Sequence, residues 1–155
     1  MRIRQATQKD IKNVVPYVKE LWMMHADEEP EFMNLEVFKK ANPEKYYQSV
    51  DGEKSILLIA EDNGTLAGFL KLDVKEIERL FRSKEVLYGD EIYVVEGYRN
   101  KGVAKMLLEE AEKIAKQRGI KLMKARVYHF NDKAQSLLQK QGYKALYSEH
   151  YKVIE

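Results

Sequence analysis

Residues 91–104 read Glu91-Ile92-Tyr93-Val94-Val95-Glu96-Gly97-Tyr98-Arg99-Asn100-Lys101-Gly102-Val103-Ala104. The apolar run up to Val95 predicts a strand, and the residues that follow predict a short turn. A helix then opens on Gly102 and Ala104 and runs to about Arg118, where Gly119 stops it. Its apolar stripe is Val103, Met106, Leu107, Ala111, Ile114 and Ala115, and Glu109/Lys113 and Glu112/Lys116 support it as i,i+4 pairs. The N-terminus of such a helix carries unpaired N–H groups and the positive end of a dipole, which together favour phosphate. Gly102 and Ala104 let a pyrophosphate approach the backbone, and Arg99 and Lys101 add positive charge. The turn is neither a P-loop nor an early Gly-x-Gly-x-x-Gly of a parallel dinucleotide fold. An ordinary strand-to-helix turn remains the plain alternative.

Upstream, Val86–Val95 forms the rest of that strand, Leu66–Ile77 another and Ser55–Glu61 a third. Asp62-Asn63-Gly64 joins the last two as a hairpin turn. Residues 2–6 alternate as a short strand. A helix follows Thr7, with Asp10 completing a capping box and Ile11, Val14, Val15, Val18, Leu21 and Trp22 on one face. Pro16 is expected within its early turns. A second helix spans about Leu35 to Val50, restarting at Asn42-Pro43. Downstream come a strand over Lys121–Tyr128, a short helix over Asn131–Gln141, and a closing hairpin of Tyr143–Tyr147 with Tyr151–Ile154. The order β-α-α-β-β-β-α-β-α-β-β is that of a mixed α/β layered domain.

The 155 residues suit one domain, with 27 Lys+Arg against 25 Asp+Glu and a mean hydropathy of -0.56. A net charge of +2 does not carry the basic excess of a nucleic-acid binder. The absence of Cys excludes a disulfide scaffold, a thiolate metal site and a Cys nucleophile. No run approaches the ~18 apolar residues of a membrane span, and the N-terminus has no signal-peptide core, so the expected location is cytoplasmic. His25, His129 and His150 show no metal-ligand spacing, and no metal is expected.

The segment Arg99-Asn100-Lys101-Gly102-Val103-Ala104 resembles the Arg/Gln-x-x-Gly-x-Gly/Ala signature of the GCN5-related N-acetyltransferases. Asn131-x-x-Ala134-x-x-Leu137-x-x-Lys140-x-Gly142-Tyr143 is similar to a second segment of that family, and the element order matches over nearly the whole chain. The resemblance implies one N-acetyltransferase domain over residues 1–155. Its mostly antiparallel sheet would have six or seven strands, with helices on both faces. Acetyl-CoA would be the donor and a primary amine the acceptor. It implies that the backbone of Ile92, Tyr93 and Val94 takes the pantetheine arm as an added strand. The pyrophosphate would meet the N–H groups of Asn100, Lys101, Gly102, Val103, Ala104 and Lys105, beside Arg99, and Asn131 would contact the arm.

Amide formation needs a neutral amine, and a carboxylate can receive its proton. Asp90 and Glu91 are adjacent candidates, and strand alternation lets only one face the cleft. Asp90 occupies the place of the base in the polyamine-acetylating branch of the family; Glu91 fits other branches. Many members use a Tyr after the position of Leu137 as general acid, but this chain has Leu138 there. Tyr143 or Tyr128 can substitute, or transfer proceeds by positioning, with the Val94 or Tyr93 N–H on the oxyanion.

Between the first two helices, His25, Asp27, Glu28, Glu29 and Glu31 form an acidic loop that would attract a cationic amine. The same loop is a candidate contact in a homodimer. A small cationic amine is the leading acceptor. The alternatives are a protein N-terminus or lysine, or an acetyl-CoA-binding sensor without turnover.

Overall fold

The Arg4 guanidinium ties the first strand to the first helix, bonding Asp10 at 2.9 Å and Glu61 at 2.8 Å. Asp10 also accepts from the Thr7 backbone N–H and hydroxyl, so the expected capping box forms. The Arg4 guanidinium bonding Asp10 holds its carboxyl well below the usual carboxylate range. The computed structural model describes residues 1–78 and 83–154. Its order is β1 (Arg2–Gln5), α1 (Gln8–Glu28), α2 (Leu35–Lys40), α3 (Pro43–Tyr47), β2 (Ser55–Asp62), β3 (Thr65–Glu76) and β4 (Glu85–Val94). Then follow α4 (Val103–Gln117), β5 (Met123–Ala125) and α5 (Asp132–Lys140).

The five strands lie in sequence order in one sheet. β1 to β4 pair antiparallel and β5 joins β4 in parallel. The mixed α/β class is as expected, but the strand count is five, not six or seven. Residues 143–154 form no strand; Tyr143–Tyr147 and Tyr151–Ile154 do not pair as the expected closing hairpin. Leu146, Tyr147, Tyr151, Val153 and Ile154 are all exposed there, so no buried face fixes a register. Pro16 lies mid-helix in α1 rather than in its early turns. It is exposed, so the Lys12 carbonyl it leaves without an N–H partner faces solvent.

The sheet has a distinct core on each side. On one, α4 lays Val103, Leu107, Ala111 and Ile114 on Leu58, Leu70, Leu72 and Leu87. On the other, α1 and α3 lay Val14, Val18, Leu21 and Tyr47 on Leu57, Ile59, Phe69 and Tyr93. A Cβ at Gly68 would stand 2.7 Å from the Tyr93 carbonyl and 3.3 Å from Val103 Cγ1. Glycine there lets the end of β4 and the start of α4 sit close against β3.

Candidate active site

β4 and β5 pair only from Leu87↔Met123 to Gly89↔Ala125. β4 continues along β3 to Val94, so residues 90–94 have β3 on one edge and no strand on the other. The register with β3 jumps within that stretch: Lys71 faces Glu91, but Leu72 faces Gly89. Asp90 is the extra residue of a β-bulge.

The bulge reverses the alternation. Before it, Leu87 packs on the α4 side; after it, Ile92 and Val94 pack there and Tyr93 faces α1. Asp90 and Glu91 therefore both face α1 and α3, and the expectation that only one can do so fails. The same step sets the backbone. The Leu87 N–H bonds Leu122 on the β5 side, whereas the Val95 N–H bonds Ala67 of β3. With period two, the N–H groups of Ile92 and Val94 point to the open edge, and the Tyr93 backbone turns to β3. The Val94 carbonyl on that edge accepts from Arg99 Nε at 3.1 Å.

The α1–α3 face of this stretch is polar and aromatic. Glu91 accepts from Trp22 Nε1 on one oxygen and the Tyr47 hydroxyl on the other. Burial pushes its carboxyl above the ordinary range, against the pull of those donors. Asp90 Oδ2 accepts from the Tyr46 hydroxyl and lies 3.6 Å from Lys71 Nζ. Burial and the Asp90 contact push the Tyr46 hydroxyl up. Asp90 Oδ1 has no partner among the described residues. No buried side-chain polar atom among them lacks a partner, so Oδ1 is open to solvent. Trp22, Tyr46, Tyr47 and Lys71 were not singled out from the sequence. The available signal was Lys71, a charge inside the apolar run Ala67–Leu72.

After β4, a short 3-10 turn over Glu96–Tyr98 leads to Gly102, which adopts φ +78° and caps α4. Asn100 takes φ +62°, so two left-handed residues fold the turn tightly. No hydrogen bond among the described residues uses the backbone N–H of Asn100, Lys101, Gly102, Val103, Ala104 or Lys105. Six unpaired donors thus lie in one stretch at the N-terminus of α4, with Lys101 and Lys105 among them. Arg99 is held elsewhere, its guanidinium 3.4 Å from the Tyr93 hydroxyl, which itself bonds Glu20 at 2.6 Å. Burial pushes that phenol up to about 12.

The other candidates are scattered. Asn131 caps α5, accepting from the Ala134 N–H at 3.0 Å. The Tyr143 hydroxyl sits 3.9 Å from Met123 Sδ, and Met123 packs with the α4-side core. Tyr143 is therefore not brought together with Asp90 and Glu91. His25 Nδ1 bonds the Leu21 carbonyl at 2.9 Å, and its ring packs 5.0 Å from Tyr128 and 5.5 Å from Phe130. Burial lowers its pKa. α1 runs on to Glu28, so His25, Asp27 and Glu28 lie on its last turn rather than in the expected loop; Glu29 and Glu31 follow it, and Glu31 lines an open pocket with Asp27, Phe32 and Glu36. No contact joins Glu28, Glu29 or Glu31 to the carboxylate pair.

The sequence profile of the Acetyltransferase (GNAT) family matches residues 20–143. The chain belongs to the GNAT family. It is 32% identical over 149 residues to the "Uncharacterized N-acetyltransferase YhfO" of Bacillus subtilis (strain 168), covering 92% of this chain and 89% of that one. Among solved structures, the tetramutant of the BH1408 protein from Bacillus halodurans superposes with a TM-score of 0.86 at 20% identity, over 99% of this chain and 100% of that one. The aminoglycoside N-acetyltransferase AAC(6')-Iy, solved in complex with CoA, superposes with a TM-score of 0.76 at 18% identity, over 99% and 93% of the two chains. These two likenesses are of fold. As a GNAT protein the chain is an acyltransferase enzyme, with acetyl-CoA as donor and an amine nitrogen as acceptor. No described helix is long and apolar enough to cross a membrane.

Proposed function

We propose that this GNAT enzyme moves an acetyl group directly from acetyl-CoA to a small cationic primary amine, in a ternary complex, on the α1–α3 face of the split between β4 and β5. The observation that carries the reading is the Asp90 bulge. It sets two carboxylates on one face, next to an open strand edge and one turn of chain before six unpaired N–H groups.

When bound, acetyl-CoA supplies the thioester carbonyl that the amine attacks. The N–H groups of Ile92 and Val94 bind its arm as an added strand, and those of Asn100 to Lys105 take its phosphates. Tyr93 contributes packing rather than backbone. Arg99 fixes the end of β4 through the Val94 carbonyl. Asn131 shapes the far wall by capping α5.

Asp90 receives the proton. Its Oδ1 is the free carboxylate oxygen, whereas both Glu91 oxygens already accept from Trp22 and Tyr47. The N–H bond of the ammonium breaks toward Oδ1, the electron pair stays on nitrogen, a C–N bond forms and the C–S bond breaks. Glu91 holds the aromatic wall in place. Tyr143, on the other side of the sheet, does not protonate the thiolate; water or the new ammonium does. Glu28, Glu29 and Glu31 draw the cationic acceptor toward that face by their charge, and His25 contributes packing against Tyr128 and Phe130.

The test is thiol release from acetyl-CoA over a panel of polyamines, amino acids, aminoglycosides and N-terminal peptides. Release with a small polyamine or diamine as preferred acceptor is expected. Release confined to peptides would move the acceptor to proteins, and acetyl-CoA binding without release on any amine would contradict the reading.

A further inference from the structure

Lys71 is the one charged residue among those described that is buried, at 2% exposure. It sits on β3 between Leu70 and Leu72, directly opposite the bulge. Its ammonium lies 2.9 Å from each oxygen of Asp73, 3.6 Å from Asp90 Oδ2, and 4.7 Å from the centre of the Tyr46 ring. Stability alone does not call for such a residue, because a buried ion pair replaced by apolar side chains of similar size is often no less stable.

The chemistry gives it a purpose. The bulge brings Asp90 and Glu91 to one face, and Asp73 stands on the neighbouring strand of that face. Three carboxylates crowded in a half-buried patch disfavour one another's ionisation, and a protonated Asp90 cannot accept a proton from the amine. Lys71 is the cation within salt-bridge distance of both Asp73 and Asp90. The other groups facing Asp90 are Glu91 and Tyr88 on its own strand and Tyr46 and Tyr47 of α3. Arg126, just past β5, is a further cation near Tyr88 and His25. With Lys71 and the Tyr46 hydroxyl both on Oδ2, Oδ1 is left as the oxygen without a protein partner.

We propose that Lys71 is a positioning residue for the transfer: its buried ammonium keeps Asp90 ionised and holds Oδ2, so that Oδ1 stays free to receive the proton. The proposal rests on the reading of Asp90 as base. It predicts that Lys71→Met lowers kcat, and that the loss deepens as pH falls from 7 toward 5. The acidic limb of its pH–rate profile should move to higher pH, while the KM for acetyl-CoA stays within about threefold. Lys71→Arg should recover most of the rate, because charge is retained. Asp73→Asn should move the acidic limb the other way, since the ammonium is then shared with one carboxylate fewer.

A measurement independent of turnover separates this proposal from the activity itself. Carbon-13 NMR of the Asp90 carboxyl should give a titration midpoint at least about one pH unit higher in Lys71→Met than in the parent. Thermal melting checks that the variant folds; if Lys71→Met does not, the same titration on Asp73→Asn should give a midpoint below the parent's. An unmoved midpoint in a folded variant overturns the proposal, whether or not the parent acetylates any amine tested. A moved midpoint with no turnover in the parent would overturn the acetyl-transfer reading and with it the role of Lys71 in transfer, whereas an unmoved midpoint beside normal turnover would overturn the role of Lys71 alone.

Discussion

On the side of the sheet covered by α4, Leu58, Leu70, Leu72 and Leu87 meet Val103, Leu107 and Ala111 in an apolar core. On the side covered by α1 and α3, two of those strands present Lys71, Asp73, Asp90 and Glu91 among Phe69, Tyr93, Tyr47 and Trp22. The difference arises from strand chemistry at one point. From Leu87 to Gly89, β4 is paired on both edges. Past it, a one-residue bulge turns consecutive carboxylates to one face while β5 leaves the opposite edge open. In the proposed mechanism the apolar side carries stability and the bulged side the reaction, so substitutions on the two sides should separate those properties.

The largest separation is expected from Asp90→Asn. With the proposed proton acceptor removed, kcat should fall about a thousand-fold in the thiol-release assay, within the range typical of general-base catalysis. The unfolding midpoint should barely move, because the Tyr46 hydroxyl can still donate to Asn. Equal loss of rate and stability would break the comparison.

The converse is Leu107→Ala, at a residue with no exposed surface. It should cost about 3 kcal/mol in denaturant unfolding. The kcat of the fraction that remains folded should stay close to the parent value.

A smaller effect is expected at Glu91, through pH. Burial raises its folded-state pKa above the ordinary ~4.3. Between those two values the folded state holds a proton that the unfolded state has released, so stability falls as pH rises across that window. Glu91→Gln removes this dependence. Its stability relative to the parent should therefore improve as pH rises above ~4.3, read from denaturation midpoints at several pH values. A constant difference across the series would contradict the buried-carboxylate account.

The smallest effect is expected from Tyr143→Phe. Its hydroxyl lies against Met123 on the α4 side, so kcat should change by less than about threefold. A loss of tenfold or more would place a general acid on the side of the sheet assigned to stability.

The sequence made the local features legible. The Asn63-Gly64 turn, the capping box at Thr7, and the Gly102 start and Gly119 end of α4 all depend on residues within a few positions of one another. The bulge was not legible, because it is a register relation between β3 and β4 some 20 residues apart. Strand alternation then gave the wrong side for one of the two carboxylates. The partners of those carboxylates lay further off still: Trp22 is 69 residues from Glu91, and Tyr46 is 44 from Asp90. The closing hairpin was expected from alternation at residues 143–154, but those apolar side chains stay exposed, and alternation without a buried face does not fix a strand. Lys71 shows what could have been read: a charge in the middle of a buried strand needs a partner, and the nearest carboxylates on the paired strand are those of the site.

The most direct test of the central claim, that the open edge of β4 and the turn before α4 hold the donor beside the carboxylate pair, is backbone amide NMR during titration with CoA. The account predicts shifts at the N–H groups of Ile92 and Val94 and at those of Gly102 to Lys105, with Tyr93 and Arg2 to Gln5 nearly unmoved. Shifts confined to other strands, with Ile92 and Val94 unchanged at saturation, would contradict it.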